Sequence, residues 1–148
     1  MRDHLAAARA RATTVIRGCA AFDLVATGLL AWPPVARWFV GVLFAVNGAL
    51  GGTAEPPVFV ALHWFFVSVA GALGVLWAVV RLLRPTRFLG LADAAARTWV
   101  AGVILFHVLD GAPGILLLFV LTELAGTVVQ VAALAPHHRP PVVAGPTP

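Results

Sequence analysis

Residues 57 to 80 read "PVFVALHWFFVSVAGALGVLWAVV", with no formal charge in the whole run. A stretch of about 20 apolar residues is what a helix needs to cross a ~30 Å hydrocarbon core. Inside lipid every backbone polar group must be satisfied within the chain, which leaves helices or closed barrels as the only spanning forms. Three more runs have comparable length and character. Residues 13–32 stop at Pro33-Pro34, residues 91–109 lead into the turn "DGAPG", and residues 113–134 follow that turn.

Composition agrees. The 148 residues are 61% hydrophobic and 11% charged, against about 25% charged in an ordinary soluble domain. Mean hydropathy is +0.96. The expected fold is therefore all-α: an integral membrane four-helix bundle forming one transmembrane domain over residues 1–134. A Pro-rich tail, 135–148, is expected to be disordered. The segment between spans 1 and 2, about 36–50, has an apolar part too short to cross. Asn47 and Gly48 would end it, so it is expected as a short interfacial or re-entrant helix.

The basic front end, Arg2, Arg9, Arg11 and Arg17, raises the question of a signal peptide. Asp23 interrupts the apolar region and no A-x-A site follows, so the segment is expected to be a retained first span. All ten basic residues are Arg. With the abundance of Ala, Val, Gly and Pro, that bias points to a GC-rich bacterial genome. Arginines 2, 9, 11, 17, 81, 84, 87 and 139 fall at the N-terminus, in the 81–87 segment and in the tail. The positive-inside rule then puts both termini in the cytoplasm of a multi-pass cell-membrane protein. Trp32, Trp38 and Trp64 would lie near the outer interface and Trp77 near the inner one. The scattered arginines form no stripe, so no nucleic-acid partner is expected. The partners expected are the lipid bilayer and either a second copy or a membrane subunit. Cys19, the single cysteine, excludes an intrachain disulfide and a multi-thiolate metal cage, and reads as a small buried hydrophobe.

The chemistry lies in the charges within the spans. At 1.5 Å per residue, Asp23 lies about 13 Å below Trp32, and Glu123 about 15 Å below Pro113. Both carboxylates therefore reach the midplane. Two ionised acids there would repel, so a proton or a cation is needed between them. Arg97 is the candidate cation, about 20 Å below Asp110, and Arg17 a weaker one. Glu123, Thr127 and Gln130 make a polar stripe on span 4, and Asp93, Arg97 and His107 share a wedge of span 3. Ala20, Asp23, Thr27 and Ala31 make a small-residue stripe on span 1. On span 2, Ala70 and Gly74 fit small-xxx-small packing. Asp93 is also the expected N-cap of span 3, which would let Arg97 snorkel to the inner interface. A looser outer group comprises His63, His107 and Asp110. Its residues follow no metal-ligand spacing, so no metal is expected there. No phosphate loop, nucleophile elbow, metal-binding HExxH or CxxC motif is present, so no cofactor is expected.

Size, span count, cytoplasmic termini and the proline-bounded "ATGLLAWPP" resemble the small bacterial four-helix membrane proteins grouped as DoxX-like. That resemblance implies an accessory role in quinone-linked redox or oxidative-stress assemblies, and it carries no functional residue across. Three functions are expected, in this order. The first is an accessory or scaffold subunit with no polar cavity. The second is a small carrier or proton-coupled permease with a cavity reaching Asp23 and Glu123. The third is a lipid-modifying enzyme with a lateral opening at that depth, using Glu123 or Asp23 as acid/base.

Overall fold

The structure, a computed structural model, describes residues 2–135, the first four of them by backbone only. The tail from 136 onward, with His137, His138 and Arg139, lies outside the described residues. Five α-helices are formed among the described residues: α1 Arg2–Ala31, α2 Pro33–Ala49, α3 Ala61–Leu83, α4 Arg87–Leu109 and α5 Leu117–Leu134. A 3-10 turn, Gly114–Leu116, leads into α5. Among the described residues four segments are long and apolar enough to cross a membrane: Ala6–Ala31, Ala61–Leu83, Arg87–Leu109 and Gly114–Leu134. The 23 residues of α3 rise about 34 Å, slightly more than the hydrocarbon core.

The distribution of side chains is inverted relative to a water-soluble protein. Arg81 and Gln130 are 0% exposed, Asp93 2% and Arg97 4%, while Trp99 is 76% and Phe88 77% exposed. Water would not tolerate so much uncovered aromatic and aliphatic surface. Lipid tails cover it at no cost, and lipid is also what forces the charges inward. The chain is a multi-pass membrane protein.

Packing follows the small residues. α1 lies along α3, α4 lies along α5, and α1 joins the two pairs through α5. Gly71 meets the α1 backbone at Leu30 and Ala31, and Gly74 meets Thr27. The close face of α3 therefore runs Gly71, Gly74, Ala78, Arg81. Ala70, expected on that face, is exposed, because one residue further along a helix turns the side chain by about 100°. At the opposite end Gly90 packs against Ile16 and Leu134.

α2 is one continuous helix whose N-terminal prolines suit the first turn, where no N–H partner is lost. It packs on α1, α3 and the turn before α5, so it covers the end of the bundle where α1 finishes and α3 and α5 begin. Asn47, 3% exposed, anchors it. Its Oδ1 accepts from the Ile115 N–H at 3.2 Å.

Of the boundaries that differ from the sequence reading, two matter to the site. α3 does not stop at Val80 but continues through Arg81 to Leu83. α4 begins at Arg87, where Thr86 is the N-cap and its hydroxyl accepts from the Leu89 N–H at 3.3 Å. Asp93 is thus well inside a helix and caps nothing. Cys19 is half-buried, not fully enclosed.

Candidate functional site

Each long helix brings polar side chains to one level of the bundle. α1 supplies Asp23 from its small-residue face, with Ala20 0% exposed just below it. α3 supplies Trp77 and Arg81, and α4 supplies Asp93 and Arg97, each pair at i, i+4 and so on one helix face. α5 supplies Glu123 and Gln130.

Arg97 is the hub. Its Nε donates to Asp93 Oδ2 at 2.9 Å, its Nη1 to Glu123 Oε2 at 3.0 Å, and its Nη2 to Asp23 Oδ2. Gly126 on α5 leaves room for it: a Cβ there would lie 2.9 Å from Arg97 Nη1. Arg81 is the second cation. Its Nη2 donates to Asp23 Oδ2 at 2.6 Å, and its Nη1 lies 2.5 Å from Asp93 Oδ2. The latter contact is an ion pair without aligned hydrogen-bond geometry. Arg81 Nε reaches the Trp77 carbonyl at 3.4 Å, and its guanidinium lies over the Trp77 ring, 5.6 Å from the centroid. Asp93 is completed by Trp77 Nε1 at 2.8 Å and Gln130 Nε2 at 2.7 Å.

The network therefore splits in two. In the inner part Arg81, Asp93 and Gln130 are buried and Trp77 is half-buried; both oxygens of Asp93 are engaged, while Arg81 Nη1 and Gln130 Oε1 make no hydrogen bond. The outer part is more open. Among the described residues, neither Asp23 Oδ1 nor Glu123 Oε1 takes a hydrogen bond. Those two carboxylates line a cavity of about 310 Å³ walled by all four long helices, with Phe22, Thr27, Trp77, Val100, Phe119 and Thr122 among its lining residues. Three carboxylates face two guanidiniums, so the fully ionised cluster carries a formal charge of −1. In a low-dielectric interior a surplus charge is costly unless something neutralises it.

Of the residues singled out from sequence, Asp23, Asp93 and Glu123 meet Arg97 directly, and Gln130 joins through Asp93. Thr127 joins from the side, its hydroxyl donating to the Ala94 carbonyl at 3.3 Å and not to an acid. Arg97, 4% exposed, does not snorkel. Arg17 is not a counter-ion; its Nε caps the end of α3 at the Leu82 carbonyl, 3.2 Å away. The outer group is not assembled. His63, His107 and Asp110 are all exposed. His63 accepts from the Val60 N–H at 3.2 Å and meets Phe59 edge-on, and His107 meets Phe106 edge-on. Among the described residues no three His, Cys, Asp or Glu side chains are grouped as a metal site would need.

Sequence reasoning missed Arg81, assigned to a loop, and Trp77, assigned to the interface. The signal was their i, i+4 spacing, which repeats the Asp93/Arg97 spacing on the facing pair of helices. No family model, curated protein or solved structure matches this chain.

Proposed function

We propose that this chain is a small proton-coupled membrane carrier whose binding site is the midplane cavity. The observation that carries this reading is that the cavity is lined by the incompletely partnered carboxylates, Asp23 and Glu123. A purely structural cluster would have no reason to leave acids facing open space, and intramembrane acids commonly mark proton and substrate paths. The surplus negative charge gives the coupling its physical basis: a proton neutralises the cluster until a ligand takes its place. In a reconstituted vesicle system, solute-driven proton flux is expected for the parent chain across a panel of small solutes. Glu123→Gln is expected to remove it while inserting and eluting like the parent. Equal internal pH traces for parent and variant would sink the carrier reading.

A second reading is an accessory subunit of a cell-membrane assembly, as the DoxX-like resemblance implies. It is favoured by the buried, interhelical inner half of the cluster, which suits a purely architectural role. It predicts a stable membrane partner on affinity capture and no flux in vesicles.

Both readings use the same orientation, with the termini cytoplasmic. The remaining arginines at the α1 start and the α3–α4 connection support it, although Arg81 no longer counts, since its charge is spent inside the bundle. With Cys19 replaced, Val58→Cys (Val58 is 88% exposed) is expected to react with an impermeant thiol reagent on intact cells. Arg84→Cys is expected to react only after permeabilisation. The opposite pattern would invert the topology.

A further inference from the structure

Resting on the carrier reading, we propose that the ligand of the midplane cavity is a small lipophilic organic ammonium ion, taken up in exchange for the proton on the Asp23–Glu123 pair. The sign of the accessible charge carries this inference. Side-chain exposure is 22% for Glu123 and 14% for Asp23, but 5% for Arg97 and 1% for Arg81. Every guanidinium nitrogen of Arg97 is already engaged by a carboxylate, and those of Arg81 by carboxylates and the Trp77 carbonyl. The one guanidinium nitrogen without an aligned hydrogen bond, Arg81 Nη1, is buried against Asp93, so no exposed positive donor is left for an anion.

The hydroxyls are also committed. Thr27 Oγ1 donates to the Asp23 carbonyl at 2.7 Å and Thr122 Oγ1 to the Phe119 carbonyl at 2.9 Å. A neutral polar solute would therefore find two carboxylate acceptors and little else. An ammonium ion with an apolar body fits better. Its charge offsets the −1 of the cluster, Phe22, Trp77 and Phe119 put aromatic rings of the kind that hold such cations in the lining, and Ala26, Ala96, Val100 and Leu118 add apolar wall. At about 310 Å³ the cavity is at the lower end of the range for small-molecule sites. Phe22 and Leu118, both lining it, are each 55% exposed on the lipid-facing surface, so an apolar ion can enter from the bilayer. The exchange balances: one proton leaves the carboxylate pair for each monocation that enters, and the cluster's charge is unchanged.

The test uses the full chain in detergent and three water-soluble probes of similar size: benzyltrimethylammonium, neutral N-benzylacetamide and anionic phenylacetate. Calorimetry is expected to show binding of the cation alone, weakened on acidification because protons compete. Glu123→Gln is expected to raise the cation's Kd by about ten- to a hundredfold, the effect of losing one charged partner. Ala26→Phe, which fills the cavity without touching an ion pair, is expected to abolish binding and covers the case in which Glu123→Gln does not fold. N-benzylacetamide or phenylacetate binding as tightly as the cation would overturn the ligand class, as would a Kd indifferent to a folded Glu123→Gln. Cation binding unaffected by Ala26→Phe would overturn the site. Cation binding without flux in vesicles would instead overturn the carrier reading and leave the ligand class standing, and binding of no probe would overturn both.

Discussion

Arg97→Ala is expected to be the most damaging single substitution in the chain. Arg97 ties α4 to Asp23 on α1 and Glu123 on α5 while pairing with Asp93 on its own helix. Without it, three carboxylates face one guanidinium and the formal charge of the cluster goes from −1 to −2. An average interhelical polar contact in a bilayer contributes only about 0.6 kcal/mol, which would make the change mild. That average describes losing a contact that can be made elsewhere. Here the loss strands charge, and breaking a buried pair by removing one partner costs about 3–5 kcal/mol. The second figure should govern. The measurement is reversible unfolding in mixed micelles, with Arg17→Ala as the control. Arg17 makes one exposed hydrogen bond, and its loss should change stability by about 1 kcal/mol or less. Arg97→Lys should fall between, because one ammonium cannot replace a planar fork serving three acids. A rescue separates charge from shape. Arg97→Met together with Glu123→Gln returns the count to two carboxylates and one guanidinium, hence −1, and should recover part of the loss. If Arg97→Ala unfolds within about 1 kcal/mol of the parent, the network does not hold the bundle together.

Much of this site was legible because helical rise is nearly invariant. Depth arithmetic needs only a span end and 1.5 Å per residue, and it placed Asp23 and Glu123 at one level with Arg97 close beneath. What it could not supply was azimuth and neighbour order. His63 and His107 share the outer half, yet both face outward, because depth is one coordinate and contact needs three. Ala70 and Gly71 differ by one residue in sequence and by a third of a turn in direction, which exchanged the exposed position for the packed one. Span ends were the other weak point. A run of hydropathy stops at its first arginine, so hydropathy alone puts the beginning of a loop at Arg81. The backbone has no such reason to stop, and α3 continues until Arg84 and Pro85, where the fixed proline ring ends it. The extra turn swings Arg81 inward, where Asp23 and Asp93 stabilise it. Asp93 escapes the N-cap role for a related reason. Aspartate is a good N-cap in general, but Thr86 sits directly after the proline and takes that role first.

Gly71→Val should separate α1 from α3 and disturb the ion network about 15 Å away along the helix. A Cβ at Gly71 would lie 2.6 Å from the Leu30 carbonyl carbon and 2.8 Å from the Ala31 Cα. Both neighbours are backbone, so no rotamer change relieves the clash and the helices themselves must move apart. Overpacking of this kind typically costs about 1–3 kcal/mol. The consequence extends further because Gly74 and Arg81 lie on the same face, against Thr27 and Asp23. An α1–α3 shift of a few tenths of an ångström is taken up by soft contacts. A shift large enough to admit a branched side chain pulls Asp23 from Arg81, whose 2.6 Å contact leaves no slack. Stability and, on the proposed carrier reading, proton-coupled flux should therefore fall together, although Gly71 lines neither the cavity nor the cluster. Gly102→Ala is the matched control. Its Cβ would meet nothing within 4 Å, and alanine in a helix interior is favoured over glycine by up to about 1 kcal/mol. That variant should be as stable as the parent or more so, with flux intact. If Gly71→Val matches Gly102→Ala in micelle unfolding, α1 and α3 do not meet backbone to backbone at this level. The short path from packing to chemistry, glycine to helix spacing to ion pair to cavity, would then be broken at its first step.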